Sequence, residues 1–179
     1  SLNRIVHEPP YMSYRDKIWG HLNKRSMEHF SAGDFGLYRN CRYYMSNFLM
    51  EEKKVKDALG MLSEVVFYDL SGLENGYDPK YLDIFAEHFF PYKDSTVTMA
   101  PGITSSVMHC QQKLNLSDKD LQAIMLDRMA RLSAPLHIFT PEECVDIVFM
   151  ESRGETDALT NLYAKARQRF KQNYPGIKC

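Results

Sequence analysis

The sequence predicts an all-α protein of about eight helices, packed as antiparallel hairpins. Apolar side chains recur three, four and seven positions apart through most of the chain, which is the spacing of helices with one buried face. The 9 glycines and 8 prolines fall between these periodic segments rather than inside them. Strand-like alternation never extends beyond about four residues. Because the connections are short, consecutive helices should pack side by side in opposite directions.

Three helices are predicted in the N-terminal part of the chain. The first covers about residues 14–30 and ends at the sequence SAGD, and its loose apolar face consists of Ile18, Trp19, Leu22 and Phe30. Asp34 is expected to cap the second helix, whose predicted buried stripe consists of Leu37, Cys41, Tyr44 and Phe48. The third helix follows the charged run EEKK, and its apolar face consists of Ala58, Leu59, Leu62, Val65 and Val66.

A fourth helix and a hinge are predicted in the middle of the chain. The turn Asn75-Gly76 precedes Asp78 and Pro79, which suit the cap and the first position of a helix that ends at Pro91. Its apolar face consists of Tyr81, Leu82, Phe85 and Phe89. The following stretch, YKDSTVTMAPG, is the least helical. Residues 91–101 are therefore the candidate sub-domain hinge within a single helical domain of residues 1–179.

Four further helices complete the predicted fold. The fifth has a stripe of Ile103, Val107, Cys110 and Leu114. The sixth is expected to begin at a cap formed by Ser117 with Asp120, and its apolar residues are Leu121, Ile124, Met125, Met129 and Leu132. The last two helices cover about residues 140–152 and 155–172, the final one buried through Leu159, Leu162, Ala166 and Phe170.

Composition and charge exclude several classes of protein. The net charge of −1 and the pI of about 6.6 provide no global basic field that would attract nucleic acid. No apolar run approaches the roughly 18–20 residues of a membrane span. The four cysteines form no CxxC pair that would indicate a zinc site or a disulfide scaffold; they are Cys41, Cys110, Cys144 and Cys179. Reduced thiols favour a cytoplasmic location.

The stretch PLHIFTPEECVDIVF places four potentially reactive side chains within eight residues: His137, Glu142, Glu143 and Cys144. A metal site or a thiol catalyst would use these residue types. The same residues are also typical of the start of a helix, with Thr140 and Glu143 as a capping box. We favour the capping interpretation, in which Pro141 occupies the first helical position and Cys144 begins the buried face.

Other candidate sites for catalysis lack the required spacing. His109 and Cys110 are adjacent on a predicted helix and so do not face each other. His21 and His29 do not show a zinc-binding spacing, and the chain contains neither a phosphate-binding glycine loop nor a GxSxG motif. We therefore expect no catalytic or metal-binding residue and no cofactor. The remaining alternative is an enzyme whose unrecognised site is a deep pocket where two or more of His109, His137, Glu143 and Cys144 converge.

One predicted hairpin, from Tyr38 to Leu70, resembles a single tetratricopeptide unit. Ser46 and Ala58 occupy its small-residue positions, although Arg42 stands where an apolar residue is usual and no second copy follows after about 34 residues. An ordinary helical hairpin is the alternative. The resemblance implies that a partner protein or peptide binds at the groove-facing positions, which are Asn40, Tyr43, Asn47 and Met50.

Three longer stretches resemble a helical region of bacterial prophage and mobile-element proteins. They are ALGMLSEVVFYDLSGLENG, FFPYKDSTVTMAPGI and LSAPLHIFTPEECVDIV, and the likeness covers most of residues 35–170. In that family the helical region follows a SAP-type DNA-binding module, which is not visible in this sequence. The resemblance implies a DNA-associated protein of a mobile element whose helical part binds something else, and it carries over no catalytic residue. The first functional hypothesis is therefore a non-enzymatic helical interaction domain that forms the partner-binding part of a DNA-associated bacterial protein.

Direct binding to nucleic acid is the second functional hypothesis. It would use local basic clusters rather than a global field, and the candidate side chains are Lys53, Lys54, Lys56, Lys165 and Arg169. This hypothesis predicts an affinity that falls steeply with salt, because binding releases counterions from the phosphates.

Overall fold

The computed structural model describes residues 9–71, 99–100, 102–132 and 138–175. This part of the chain contains seven helices and no strand, which confirms the all-α prediction. The helices are α1 (Pro9–Ala32), α2 (Phe35–Glu51), α3 (Val55–Ser71), α4 (Ile103–Lys113), α5 (Asp118–Met129), α6 (Pro141–Arg153) and α7 (Thr156–Asn173). About eight helices were predicted. The fourth of these, and most of the predicted hinge at 91–101, lie outside the described residues.

Helix α3 lies at the centre of the described fold. Every residue from Ala58 to Tyr68 is buried, and α3 contacts α2, α4, α5 and α6. A helix surrounded in this way needs apolar side chains on all faces, which explains the nearly uninterrupted run of apolar letters. It also places the carboxylate of Glu64 in the interior, where burial requires partners for its charge.

Helices α1, α2 and α3 form consecutive antiparallel pairs. Phe30 near the end of α1 packs against Phe35 at the start of α2, with ring centroids 5.7 Å apart. Phe35 in turn stacks on Tyr68 near the end of α3, at 5.3 Å. Helices α6 and α7 also pack together. The predicted hairpin packing is therefore seen at both ends of the described fold.

The rotation of α2 differs from the prediction. Leu37 and Tyr44, predicted to be buried, are 50% and 56% exposed, and Cys41 is half-buried. The buried face consists instead of Phe35, Tyr38, Met45, Ser46, Phe48 and Leu49. The sequence of α2 has apolar residues on several faces, so periodicity alone does not select the one that packs between α1 and α3.

Apolar burial divides into two clusters. The larger one includes residues from every helix between α2 and α7. The smaller one consists of Met45, Leu49, Ala58 and Met61, against which Trp19 and Leu22 of α1 pack. The main core therefore forms without the N-terminal part of α1, whose side chains complete only the smaller cluster.

Four of the described helices end in a residue with a left-handed backbone. These residues are Gly33, Lys53, Asn115 and Gly154, with φ of 77°, 60°, 52° and 65°. At the end of α2 the N–H of Lys54 donates to the carbonyl of Leu49 at 2.8 Å, and that of Lys53 donates to Met50 at 3.0 Å. This pattern satisfies carbonyls that would otherwise lack a donor at the helix end.

Replacing Lys53 with glycine is expected to raise the free energy of unfolding by about 1 kcal/mol, because glycine adopts a positive φ without the steric penalty of a side chain. The matched control is Lys165→Gly, at an exposed position inside α7. The same change should cost about 1 kcal/mol there, because glycine disfavours a helix interior. Urea unfolding measures the change in the free energy of unfolding for each variant, which should be positive for Lys53→Gly and negative for Lys165→Gly. Destabilisation by both substitutions would contradict this assignment of the α2 end.

None of the described helices combines the length and the apolar character that a membrane span requires.

Candidate functional site

The start of α6 confirms the capping interpretation of the stretch that contains Glu143 and Cys144. The Thr140 hydroxyl accepts a hydrogen bond from the N–H of Glu143 at 3.2 Å, and the Thr140 N–H donates to Glu143 Oε1 at 2.9 Å. Pro141 occupies the first helical position. His137, the fourth side chain predicted as a possible ligand in this stretch, lies outside the described residues.

Glu143 has a second role, which the sequence did not reveal. Arg169 of α7 donates from Nη2 to Glu143 Oε1 at 2.7 Å, and the same guanidinium donates to the carbonyl of Ile138. Burial alone would raise the pKa of Glu143. The hydrogen bonds from Arg169 and Thr140 outweigh burial and hold that pKa below its ordinary value. The Glu143 carboxylate therefore fixes the start of α6 and joins it to α7.

This ion pair gives the fold a specific acid sensitivity. Because the pKa of Glu143 is lowered in the folded state, its stabilisation is present at neutral pH and is lost as the pH falls through the folded pKa. Glu143→Gln should cost about 1–2 kcal/mol at pH 7 and should flatten the dependence of stability on pH in the acid range. The neighbouring exposed Glu142→Gln is the control. Urea unfolding from pH 7 to 3 measures both, and identical slopes for the two variants would contradict the assignment.

The described thiols are poorly suited to nucleophilic chemistry. Burial raises the pKa of Cys144 to about 12, with further contributions from the charges of Glu143 and Glu142. Burial also raises the pKa of Cys110 to about 11, and its Sγ lies 3.7 Å from Met50 Sδ. Cys41 is half-buried, and burial raises its pKa as well. Since the thiolate is the reactive form, these side chains serve packing. His109 is exposed beside buried Cys110, which confirms that the two do not face each other.

A buried polar network joins α2, α3 and α5 around Glu64. The hydroxyl of Tyr38 donates to Glu64 Oε1 at 2.6 Å, and Arg128 Nη2 donates to Oε2 at 3.2 Å. Arg42 Nε lies 3.3 Å from the same Oε2, and the Arg42 guanidinium covers the Tyr38 ring at 4.8 Å. Burial, together with the charge and hydrogen bond of Glu64, raises the pKa of Tyr38 to about 12. The carboxylate is thus shared by two cations and a phenol.

Close packing of Arg128 depends on a glycine of the central helix. A Cβ placed on Gly60 would lie 3.1 Å from Arg128 Nη1, so the absence of a side chain there lets the guanidinium lie against α3. A second ion pair joins α2 to the same helix, because Arg39 Nε donates to Asp69 Oδ1 at 2.7 Å. Asp69 also accepts the N–H of Ala100 at 3.2 Å. These contacts hold α2 in one rotation against α3, and they direct its arginines inward.

The outward side of α2 carries uncharged residues. Leu37, Asn40, Tyr44 and Asn47 recur at helical spacing and define what we call the α2 outer face. Asn40 is exposed and Asn47 is half-buried, as is Tyr43 beside this face. The Tyr43 and Tyr44 rings meet edge to face at 5.8 Å, and Arg39 lies over the Tyr43 ring at 5.4 Å. Two of the four predicted groove positions therefore belong to this face, and Tyr43 lies at its edge.

Met50, the fourth predicted groove position, lies elsewhere. It is half-buried and packs against both apolar clusters, so its contacts are mainly those of a core residue. Leu37 and Tyr44 were not predicted as surface positions, because their spacing was interpreted as a buried stripe. The five large apolar side chains that are exposed in the described part all belong to α1 and α2; they are Tyr14, Ile18, Met27, Leu37 and Tyr44.

The predicted basic positions do not form one surface group. Lys53, Lys54 and Lys56 are exposed at the α2–α3 connection, where Lys54 Nζ lies 3.5 Å from Glu52 Oε2. Lys165 is exposed on α7, whereas Arg169 is engaged with Glu143. Arg169 is therefore committed to a contact between helices.

Among the residues that the structure describes, no group of three or more His, Cys, Asp or Glu side chains could hold a metal ion. Comparison of the chain with protein-family models, with curated proteins and with solved structures gave no match.

Proposed function

We propose that this chain is a non-enzymatic helical protein-interaction domain and that the α2 outer face binds its partner. The observation that carries the proposal is the location of the exposed large apolar side chains of the described part on the first two helices. Single exposed apolar residues are ordinary in soluble proteins. Leu37 and Tyr44, however, lie two turns apart on one face and are accompanied by two amides.

The chemistry of this face indicates the kind of partner. Arg39 and Arg42, the arginines of α2, pair with Asp69 and Glu64 on α3 and leave the outer face uncharged. Aromatic and amide groups suit an amphipathic helix or an extended peptide, which they can contact through apolar surface and hydrogen bonds. The Arg39 guanidinium reaches Asn40 Oδ1 at 3.2 Å, but it is paired with Asp69, so a phosphate group would have to compete with that ion pair.

The wider setting is proposed from the family resemblance. A DNA-associated protein of a bacterial mobile element, acting in the cytoplasm, would contact DNA through a SAP-type module and a second protein through the α2 outer face. Direct binding of nucleic acid by the basic positions has less support, because Arg169 is paired with Glu143 and Lys54 lies near Glu52. A mobility shift at about 50 mM salt that disappears at higher salt would favour that alternative.

Affinity capture from a bacterial lysate tests the interaction function. The double variant Leu37→Ala/Tyr44→Ala removes exposed apolar surface, so it should retain the fold and lose at least about 1 kcal/mol of partner binding, roughly fivefold in affinity. The control is Lys165→Ala on exposed α7. We expect a discrete protein to be captured by wild type and control and to be depleted from the double variant. Equal capture by all three proteins would exclude the α2 outer face.

A further inference from the structure

A groove lies beneath α1 and is formed entirely by the two helices that follow it. Its buried lining consists of Met45, Leu49, Ala58 and Met61. Trp19 and Leu22 of α1 pack into this groove, with Met50 at its side. The lining forms a cluster separate from the main core, so the groove would persist if α1 moved away.

The N-terminal part of α1 buries few of its own described side chains against the groove. The Arg15 guanidinium donates from Nε to Glu52 Oε1 at 2.9 Å and lies 4.8 Å from the centre of the Trp19 ring. Arg15 and Ser26 are the buried residues of α1 among those whose side chains are described, whereas Trp19 and Leu22 remain half-buried. The pair of Arg15 with Glu52 is therefore a polar anchor between this part of the helix and the end of α2.

The other end of α1 is attached differently. Phe30 contacts Phe35 and also the Tyr38 ring, at 5.0 Å, and so joins the main core. Gly33 then ends the helix with a left-handed backbone, and the N–H of Asp34 donates to the carbonyl of His29 at 2.8 Å. Release of α1 from its N-terminal end up to about Ser26 would leave this junction and the main core in place.

We propose that the groove is a helix-binding site, which α1 occupies within the chain and which can exchange α1 for the amphipathic helix of a partner protein. The contacts of α1 specify the chemistry of that helix: an arginine, then a tryptophan four residues later and a leucine seven residues later. The arginine pairs with Glu52, and the two apolar side chains enter the groove. Two methionines in the lining suit such exchange, since their flexible thioethers adapt to different apolar partners.

The tether sets the condition for exchange. A helix held by a short connection competes with an effective concentration in the millimolar range, so a partner helix must bind more tightly than α1 itself. Occupation of the groove by α1 would therefore exclude helices that bind the groove only weakly. This proposal concerns a different surface from the α2 outer face, and it stands or fails independently of the function proposed above.

Hydrogen exchange of the wild-type chain tests the release of α1. We expect amides of residues 15–26 to exchange at least about 100-fold faster than amides of 59–68 in α3, because local opening costs less than global unfolding. Glu52→Ala should accelerate exchange in α1 and leave α3 unchanged. Equal protection of the two helices in the wild-type chain would show that α1 is part of the main cooperative unit and would overturn the proposal.

A peptide of residues 9–32 tests the groove directly. The full chain carrying Trp19→Ala has weakened docking of its own α1 and contains no other tryptophan, so Trp19 of the peptide reports binding by fluorescence. We expect saturable binding with a blue-shifted emission, weakened at least about tenfold by adding Glu52→Ala and unchanged by adding Leu37→Ala. Absence of saturable binding, or an affinity for the peptide that Glu52→Ala does not change, would overturn the proposal. A wild-type dimer that exchanges α1 between copies would instead assign the groove to self-association.

Discussion

Replacing Glu64 with alanine is expected to lower the free energy of unfolding by about 3–5 kcal/mol, the typical cost of removing one partner from a buried ion pair. The side chain of Glu64 is 4% exposed and that of Arg42 is 11% exposed. Without the carboxylate, Arg42 would be left in the interior with an uncompensated charge, and the Tyr38 hydroxyl would lose its acceptor. Urea unfolding followed by circular dichroism measures the loss.

The control for Glu64→Ala is Asp127→Ala. Asp127 accepts from Arg131 at 2.8 Å, but both side chains are about 70% exposed, so this pair should contribute less than about 1 kcal/mol. The two substitutions remove the same kind of group from opposite environments. A loss below about 1 kcal/mol for Glu64→Ala would mean that the network contributes little to the native state, contrary to its burial.

Leu59→Ala should produce a loss of similar size for a different reason. Leu59 is fully buried on the central helix, and truncation there removes apolar burial and leaves a cavity, at a cost of about 2–5 kcal/mol. Leu37→Ala is the same substitution on the exposed side of α2, and it should cost no more than about 0.5 kcal/mol.

Thermal and urea unfolding of these two leucine variants measure the contrast. Because α3 contacts four other helices, Leu59→Ala should lower the stability of the whole cooperative unit rather than that of one helix. Comparable losses for Leu59→Ala and Leu37→Ala would show that α2 packs with Leu37 inward, as the periodicity of its sequence had indicated.

Local capping signals in the sequence correctly predicted the starts of α5 and α6, whereas α1 begins at Pro9 rather than near residue 14. Thr140 with Glu143 and Pro141 specified the beginning of α6, and Ser117 accepts the N–H of Asp120 at 3.1 Å as expected. These contacts join residues only three positions apart, so the sequence alone is sufficient to predict them. Asp34 occupies the predicted cap position of α2, but its side chain accepts no capping hydrogen bond.

Features that depend on distant residues were not predictable in this way. Glu64 contacts Tyr38, which lies 26 positions away in the sequence, and Arg128, which lies 64 positions away. No rule of sequence spacing connects these residues. The rotation of α2 depends on Glu64, because its carboxylate pairs with Arg42 on the inner side of the helix and Tyr44 is left outside. Lys53 and Asn115 adopt backbones that glycine usually supplies, so neither helix end had its customary signal.

The candidate interaction surface was predicted in part for the same reason. Asn40 and Asn47 were expected at the groove from the tetratricopeptide resemblance, and both lie on the α2 outer face. Leu37 and Tyr44 were assigned to the core, because an apolar stripe at helical spacing usually packs inward. Only the positions of α1 and α3 reveal which stripe of α2 remains exposed.

Site-specific photo-crosslinking tests the proposed function most directly. A photoreactive phenylalanine derivative in place of Tyr44 keeps an aromatic ring on the α2 outer face, and the same derivative in place of exposed Gln168 on α7 is the control. If this face binds a partner protein, irradiation in cells should yield a discrete crosslinked species from position 44 and none from position 168. The same products from both positions, or none from position 44, would contradict the proposal.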